Sequence, residues 1–297
     1  MSHARKLAAL LAAALFLLPV AGAQAKAKQQ LLVTVGDSYA TGYQSESARK
    51  GANTAQSYSH QLVKLAKKRG YDLRQVNFGC GGATTVSMLE QTKPCDPRGR
   101  AVGGVARTWG GKTQTAAAEA FLKKNRKDVG LITISISGND VTACAAQPDP
   151  IPCVGQAVES IKKNVGAIAK RLRKAAGPKA RIVGITYPDV ILGAWVGTPP
   201  NQDLARLSVV AFKSLINPAL KTAYASAKGQ FVDVTAATGA YTPLEQTTTL
   251  PPYGTIPVAV AKVCELTSFC HHRDIHMNTE GYAIIADLIA RTLPRRG

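Results

Sequence analysis

Acidic side chains are scarce in this chain. Asp and Glu number 18 against 37 Lys and Arg, a formal net charge of +19 at pH 7. Such a deficit admits a nucleic-acid partner or an anionic surface as the thing bound. Long apolar runs are scarce too. Beyond residue 25 no segment is long and apolar enough to cross a bilayer as a helix. Internal repeats, low-complexity tracts and linkers are also missing, which excludes a repeat array and leaves one folded unit to account for residues 26–297.

The one long apolar run lies at the start. In "MSHARKLAALLAAALFLLPVAGAQA", His3, Arg5 and Lys6 precede an apolar stretch from Leu7 to Val20, followed by small residues ending in Ala-x-Ala. That is the layout of a secretory signal peptide, residues 1–25, cut after Ala25 or after Ala23. The run falls short of the roughly 20 residues a spanning helix needs. A secreted, extracellular chain is therefore expected, and a monomer. Loss of Arg5 and Lys6 takes the net charge to about +17. Much of the remainder sits on helix faces such as "KLAKKRG" (Lys64–Gly70) and "AKRLRKAAG" (Ala169–Gly177), where solvated lysines are ordinary. For an exported protein, an anionic wall or phospholipid surface is the expected charged partner, and no nucleic acid.

All 6 cysteines lie after the leader, at Cys80, Cys95, Cys144, Cys153, Cys264 and Cys270. An even count in an exported chain reads as disulfides, for which 15 pairings exist. The spacing makes Cys80/Cys95, Cys144/Cys153 and Cys264/Cys270 the simplest set, each stapling a loop without evident regular structure. "CHHRDIH" (Cys270–His276) offers metal-ligating residue types, but exported thiols oxidise, and neither a metal nor another cofactor is expected.

Apolar strand candidates recur at Leu31–Val35, Leu73–Phe78, Leu131–Ile136, Arg181–Thr186 and Gln230–Val234. Helical periodicity fills the gaps. Thr54–Gly70 puts Tyr58, Leu62 and Leu65 on one face and ends on a glycine suited to a C-cap. Cys153–Gly177 repeats Val158, Ile161, Val165, Ile168 and Leu172. Asp203–Gly229 reads as a helix kinked near Pro218, and a last helix starts near Thr279. Strands alternating with helices predict a parallel sheet covered on both faces. The Pro/Gly/Thr-rich piece Tyr241–Ile256 reads as a long surface loop.

The strand ends carry the chemistry. Gly36-Asp37-Ser38 follows the first strand, "NFGCGGATT" (Asn77–Thr85) the second and "SGND" (Ser137–Asp140) the third, while "DIHMNTEGY" (Asp274–Tyr282) precedes the last helix. In a parallel sheet the carboxyl ends of the strands share one edge, so these pieces converge. Together they hold a hydroxyl nucleophile, a histidine base, a side-chain amide and glycine-freed backbone N–H groups, the parts acyl transfer requires. Taken singly each has a plainer role: Ser38 as a helix cap, Asn139 as a turn residue, Gly81 and Gly82 as backbone hinges. The combination is the specific signal. Ala40, two residues after Ser38, excludes the G-x-S-x-G elbow of α/β-hydrolases.

These blocks resemble the SGNH hydrolases, also called GDSL esterases and lipases: "GDSYATG" (Gly36–Gly42), "CGGATT" (Cys80–Thr85), "GND" (Gly138–Asp140) and the histidine segment. The likeness spans essentially all of residues 26–297, and the three short-range disulfides are most like those of small secreted actinobacterial members. It implies a three-layer α/β/α sandwich on a mainly parallel five-stranded sheet, flavodoxin-like. It implies Ser38 as nucleophile, His276 as base, and an oxyanion hole from the Ser38 and Gly82 N–H groups and the Asn139 amide. The family often places the histidine-orienting aspartate three residues before the histidine, where this chain has Arg273. Asp274, two before His276, is the candidate here, with a backbone carbonyl as the alternative. The expected activity is hydrolysis of carboxylic or lipid esters through an acyl-enzyme. Polysaccharide deacetylation by the same residues is the alternative within enzymes, and a non-catalytic basic wall- or lipid-binding protein the alternative outside them. Tyr187–Pro200 and Tyr241–Ile256 are expected to shape an acyl pocket.

Overall fold

A computed structural model describes residues 28–47, 50–105 and 109–296. The expected signal peptide, residues 1–25, lies outside the described residues. The strands run β1 (Gln30–Gly36), β2 (Tyr43–Ser47), β3 (Lys50–Asn53), β4 (Leu73–Asn77), β5 (Val129–Ser135), β6 (Arg181–Ile185), β7 (Gln230–Val232), β8 (Thr247–Leu250) and β9 (Gly254–Pro257). Between and after them lie α1 (Ser38–Thr41), α2 (Tyr58–Lys67), α3 (Thr85–Glu90), α4 (Gln114–Lys124), α5 (Gly138–Thr142), α6 (Pro150–Ala176), α7 (Gln202–Ala211), α8 (Asn217–Ala225), α9 (Val234–Ala237), α10 (Val258–Leu266), α11 (Phe269–His272) and α12 (Thr279–Arg291).

Five strands form a wholly parallel sheet in the order β4-β1-β5-β6-β7. Alternation along β1 explains its two faces. Leu31, Val33 and Val35 join Ile132 and Ile134 in a core under α3, α4, α6 and α8, whereas Leu32 and Leu131 face a second core beneath α2 and α12. That period of two is what a strand buried on both sides requires. The sheet is thus covered on both faces, giving the three-layer sandwich. The chain leaves β1 toward β4 on one side and returns through β5 toward β6 on the other. The crevice where those directions diverge, at the carboxyl ends of β1 and β5, is where open α/β sheets take their ligands.

A third, smaller core joins Leu192, Ala205, Ile256 and the buried face of α10. The stretch Tyr241–Ile256 is part of it, and here the loop expectation is corrected. β8 and β9 pair antiparallel, Thr247 opposite Pro257 and Leu250 opposite Gly254. Three consecutive threonines, Thr247–Thr249, supply β-branched residues to one strand. The disulfides are Cys80–Cys95, Cys144–Cys153 and Cys264–Cys270. Their loops are not devoid of regular structure: the first encloses α3, the second reaches into the first turn of α6, and the third ties α10 to α11. The irregularity expected at Pro218 appears as a π turn, Phe212–Ile216, placed just before the proline enters the first turn of α8. Proline has no N–H to give the preceding turn, so the hydrogen bonding shifts register there.

Candidate active site

β1 ends in a turn that only glycine can make. Gly36 has φ +140, and a Cβ there would sit 1.9 Å from the Ser135 carbonyl oxygen. The turn hands directly to α1, whose N-cap is Asp37: its carboxylate accepts from the Tyr39 N–H at 3.0 Å. Because Asp37 caps the helix, Ser38 is free of that duty. Among the described residues neither its hydroxyl nor its backbone N–H has a hydrogen-bond partner, although the residue is 7% exposed. Two buried amides hold the elbow's backbone. Gln114 Nε2 donates to the carbonyls of Gly36 and Phe78 at 2.6 and 2.7 Å, and Asn77 Nδ2 donates to Ala40 at 2.7 Å.

The turn after β4 gives Gly82 a φ of +78, a backbone open to glycine, and leaves its N–H without a partner among the described residues. Asn139 stands in the first turn of α5, after β5. One hydrogen of its Nδ2 goes to the Ala83 carbonyl at 2.8 Å, which ties the amide to the Gly82 turn and leaves the second hydrogen available. Asp140 braces the pair from behind, accepting from Thr85 N–H at 3.0 and 3.1 Å and from its hydroxyl at 2.6 Å. Burial nevertheless raises the Asp140 carboxyl above its ordinary value.

His276 lies between α11 and α12. With Nδ1 protonated it donates to Asp274 Oδ1 at 2.6 Å, and the His276 backbone N–H donates to the same oxygen at 2.9 Å. Burial works to raise the Asp274 carboxyl, but the hydrogen bonds from His276, and its charge whenever the ring is protonated, outweigh it and hold the group below its ordinary value. Nε2 is then the nitrogen with a lone pair, buried and without a partner among the described residues. The ring packs on Tyr43, centroids 4.4 Å apart. Ser38, Gly82, Asn139 and His276 all line one polar cleft, together with Asn53, Asp96 and Arg98. His271 and His272, the other histidines near the motif, do not line it.

On its other side Ser38 opens into a narrow apolar pocket. Its walls include Val141, Val154, Ile191, Leu207, Phe212 and Ile275. The Tyr187–Pro200 segment contributes Tyr187, Pro188, Val190 and Ile191, whereas Tyr241–Ile256 contributes nothing, since its hairpin packs against α10 instead. The second half of that pocket expectation is thereby corrected.

A family model described as the GDSL-like lipase/acylhydrolase family matches residues 34–284. The chain belongs to that family. Membership makes it a carboxylic ester hydrolase, and the GDSL fold is matched in solved structures. An extracellular lipase from Streptomyces rimosus is 17% identical, with 89% of this chain and 98% of that one covered at a TM-score of 0.51. The lipase Lip_vut3 from a goat rumen metagenome is 14% identical, with 90% and 99% covered at 0.52. No curated protein sequence matches.

Several contacts within this GDSL site carry no signal in the sequence. The Tyr39 hydroxyl donates to the Ile275 carbonyl at 2.6 Å, linking the residue after Ser38 to the residue before His276. The Tyr187 hydroxyl donates to Asp37 Oδ2, and Asp37 is fully buried. Burial pushes the Asp37 carboxyl up to about 7, against the lowering effect of that hydroxyl and of the Tyr39 N–H. Tyr39 sits inside a motif that was legible, but nothing about its spacing reports its distant partner.

Proposed function

We propose that the protein is an exported esterase that takes extended apolar acyl chains and works through an acyl-enzyme on Ser38. His276 Nε2 accepts the Ser38 hydroxyl proton as Oγ bonds to the ester carbonyl carbon. Charge gathering on the carbonyl oxygen meets the Ser38 and Gly82 N–H groups and the free Asn139 amide hydrogen. Collapse breaks the carbon–oxygen bond to the alcohol, which leaves with the proton held on His276. Water then attacks the acyl-serine by the same route in reverse. Asp274 keeps Nδ1 protonated and steadies the imidazolium. The apolar pocket receives the acyl chain, while the polar cleft with Asn53, Asp96 and Arg98 receives the alcohol.

The observation that carries this reading is that Ser38 sits at the junction of an apolar pocket and a polar cleft. A deacetylase would need no such apolar space, yet the polar cleft would suit a sugar, so polysaccharide deacetylation is the competing reading. A chain-length series of p-nitrophenyl esters separates them, run beside acetylated xylan with Ser38→Ala as blank. Each methylene buried is worth about 0.8 kcal/mol, about fourfold in kcat/KM, until the pocket is full. A rise from acetate to octanoate is expected. A fall beyond acetate, with turnover of xylan, would replace this reading by the deacetylase. Export is checked by N-terminal sequencing of protein from the culture medium, which should begin at Lys26, or at Gln24 if the cut follows Ala23.

A further inference from the structure

The strand end after β6 supplies none of the groups used in acyl transfer, yet Tyr187, two residues beyond that strand, is buried against the site. Its backbone is fixed from behind, where the Tyr187 carbonyl accepts from the hydroxyl of the fully buried Thr235 in α9 at 2.7 Å. Its side chain touches the residues on either side of Ser38. The hydroxyl donates to Asp37 Oδ2, while the other oxygen of that carboxylate caps α1. The ring meets Tyr39 edge to face, centroids 4.8 Å apart at 84°. Burial and the negative charge of Asp37 hold the hydroxyl well above its ordinary range, so it stays a donor. The same ring also rests on the residue before Asn139: a Cβ on Gly138 would lie 3.0 and 3.1 Å from Tyr187 Cε1 and Cζ.

The Gly138 backbone follows a strained turn. Ser137 has φ +112, a conformation that residues other than glycine rarely adopt. Its hydroxyl is buried, has no partner among the described residues and does not cap α5. Such a turn persists only where its surroundings over-determine it. On one side, α5 is held by the hydrogen bond from Asn139 to Ala83 and by those from Thr85 to Asp140. On the other stands the Tyr187 ring. The ladder between β1 and β5 ends at Gly36 and Ser135, with the Asp37 N–H donating to the Ser135 carbonyl at 3.0 Å. Ser38 and Asn139 both lie past that point, where strand pairing no longer sets their spacing.

We propose that Tyr187 is a positioning residue for ester hydrolysis: bonded to Asp37 and seated on Gly138, it sets the distance between the Ser38 elbow and the Asn139 amide. This rests on Ser38 as nucleophile and Asn139 as oxyanion donor. The Ser38 N–H and the Asn139 amide come from different strand ends and must reach the same oxygen. A small shift between them leaves the amide hydrogen short of the charge it stabilises.

Tyr187→Phe removes the hydroxyl and keeps the ring. Rates are measured on dissolved p-nitrophenyl butyrate and divided by the concentration of sites that a serine-directed organophosphorus reagent titrates to completion, so that a misfolded fraction does not count. In Tyr187→Phe, kcat should fall about tenfold with KM within about twofold of the parent, whereas a residue that only walled the acyl pocket would change KM. Asn139→Ala should cost about 10²–10³ in kcat. Adding Tyr187→Phe to it should cost less than about twofold more, because the group being positioned is gone. Gly138→Ala presses a methyl into the ring while keeping the hydroxyl, and should also lower kcat about tenfold. Tyr224→Phe removes another buried hydroxyl, one that lines neither the pocket nor the cleft, and should keep the parental kcat. With Asn139→Ala impaired as expected, parental kcat in Tyr187→Phe or in Gly138→Ala would overturn the proposal and leave the esterase reading intact. So would an equal loss in Tyr224→Phe, or a Tyr187→Phe loss that recurs undiminished in the Asn139→Ala background. Parental kcat in Asn139→Ala would overturn the oxyanion reading and the role of Tyr187 with it.

Discussion

His276 illustrates how a site can be set by a single short contact. Its Nδ1 is engaged by Asp274 at 2.6 Å, so the ring cannot flip without giving up a charge-assisted hydrogen bond. If that carboxylate orients the base, Asp274→Asn should keep the fold and cost on the order of 10⁴ in kcat, because the amide can stabilise the wrong tautomer. A loss below tenfold in both Asp274→Asn and Asp274→Ala would leave a Ser38–His276 dyad oriented by a backbone carbonyl. Tyr39 acts at one remove, as a positioning residue for the segment that carries His276. Tyr39→Phe removes the donor to the Ile275 carbonyl and leaves the ring in its buried place. Losing one such hydrogen bond is worth about 1 kcal/mol. The expected result is a fall of about fivefold in kcat with KM unchanged, measured on a dissolved ester. An unchanged kcat would show that the Ile275 carbonyl needs no anchor.

Among the elements, the turn between β1 and α1 tolerates least. Gly36→Ala would place its methyl inside the Ser135 carbonyl, in a backbone conformation that L side chains rarely adopt. Since Ser135 belongs to the adjacent strand, relief would require β1 and β5 to part, and soluble expression should fail or melt far below the parent. The disulfides act on a smaller scale. Cys144→Ala with Cys153→Ala opens a loop of sequence separation 9, for which the chain-entropy account gives somewhat under the ~3 kcal/mol of a 15-residue loop. A clear fall in Tm should appear in a thermal melt, with dissolved-ester activity retained at 25 °C. An unchanged Tm would mean that the packing of α5 against α6 already holds that corner. Five strand segments and the long amphipathic helices were legible from period and turn residues alone. The hairpin β8–β9 was not, because Pro251, Pro252 and Gly254 read locally as a loop and only pairing across that turn makes strands of the flanks.

At the scale of the whole molecule, two buried carboxylic acids among the described residues, Asp37 and Asp189, are raised by burial to about 7. An acid held above its ordinary value near 3.8 keeps its proton in the folded state where the unfolded chain has lost it. Between about pH 4 and 7 the folded state therefore binds more protons, and stability falls as pH rises through that window, levelling off above it. Asp274 is displaced the other way, so its contribution is present above the ordinary range and is lost only as pH falls below it. Tm should accordingly be higher at pH 5 than at pH 8, in 0.2 M salt to screen surface repulsion. Asp189→Asn, which keeps an acceptor for the Ser208 hydroxyl, should shrink that difference. An identical pH profile in the variant would mean that Asp189 is ionised in the folded protein.

What the sequence determined by itself was whatever is written in short range. Strand and helix periods, the glycine-bearing turns and the order of the four polar blocks depend on neighbours a few residues apart, and the parallel sheet brings strand ends together without further instruction. Tertiary structure alone decided which side chains meet across the chain. The Tyr187 hydroxyl reaches Asp37 over 150 positions and the Tyr39 hydroxyl reaches Ile275 over 236, and no spacing encodes either. It also decided that the 187–200 segment walls the pocket while 241–256 folds away onto α10. Such choices are made when helices settle on the sheet and apolar faces find partners. They follow from the packing of the whole core, which no window of the sequence contains.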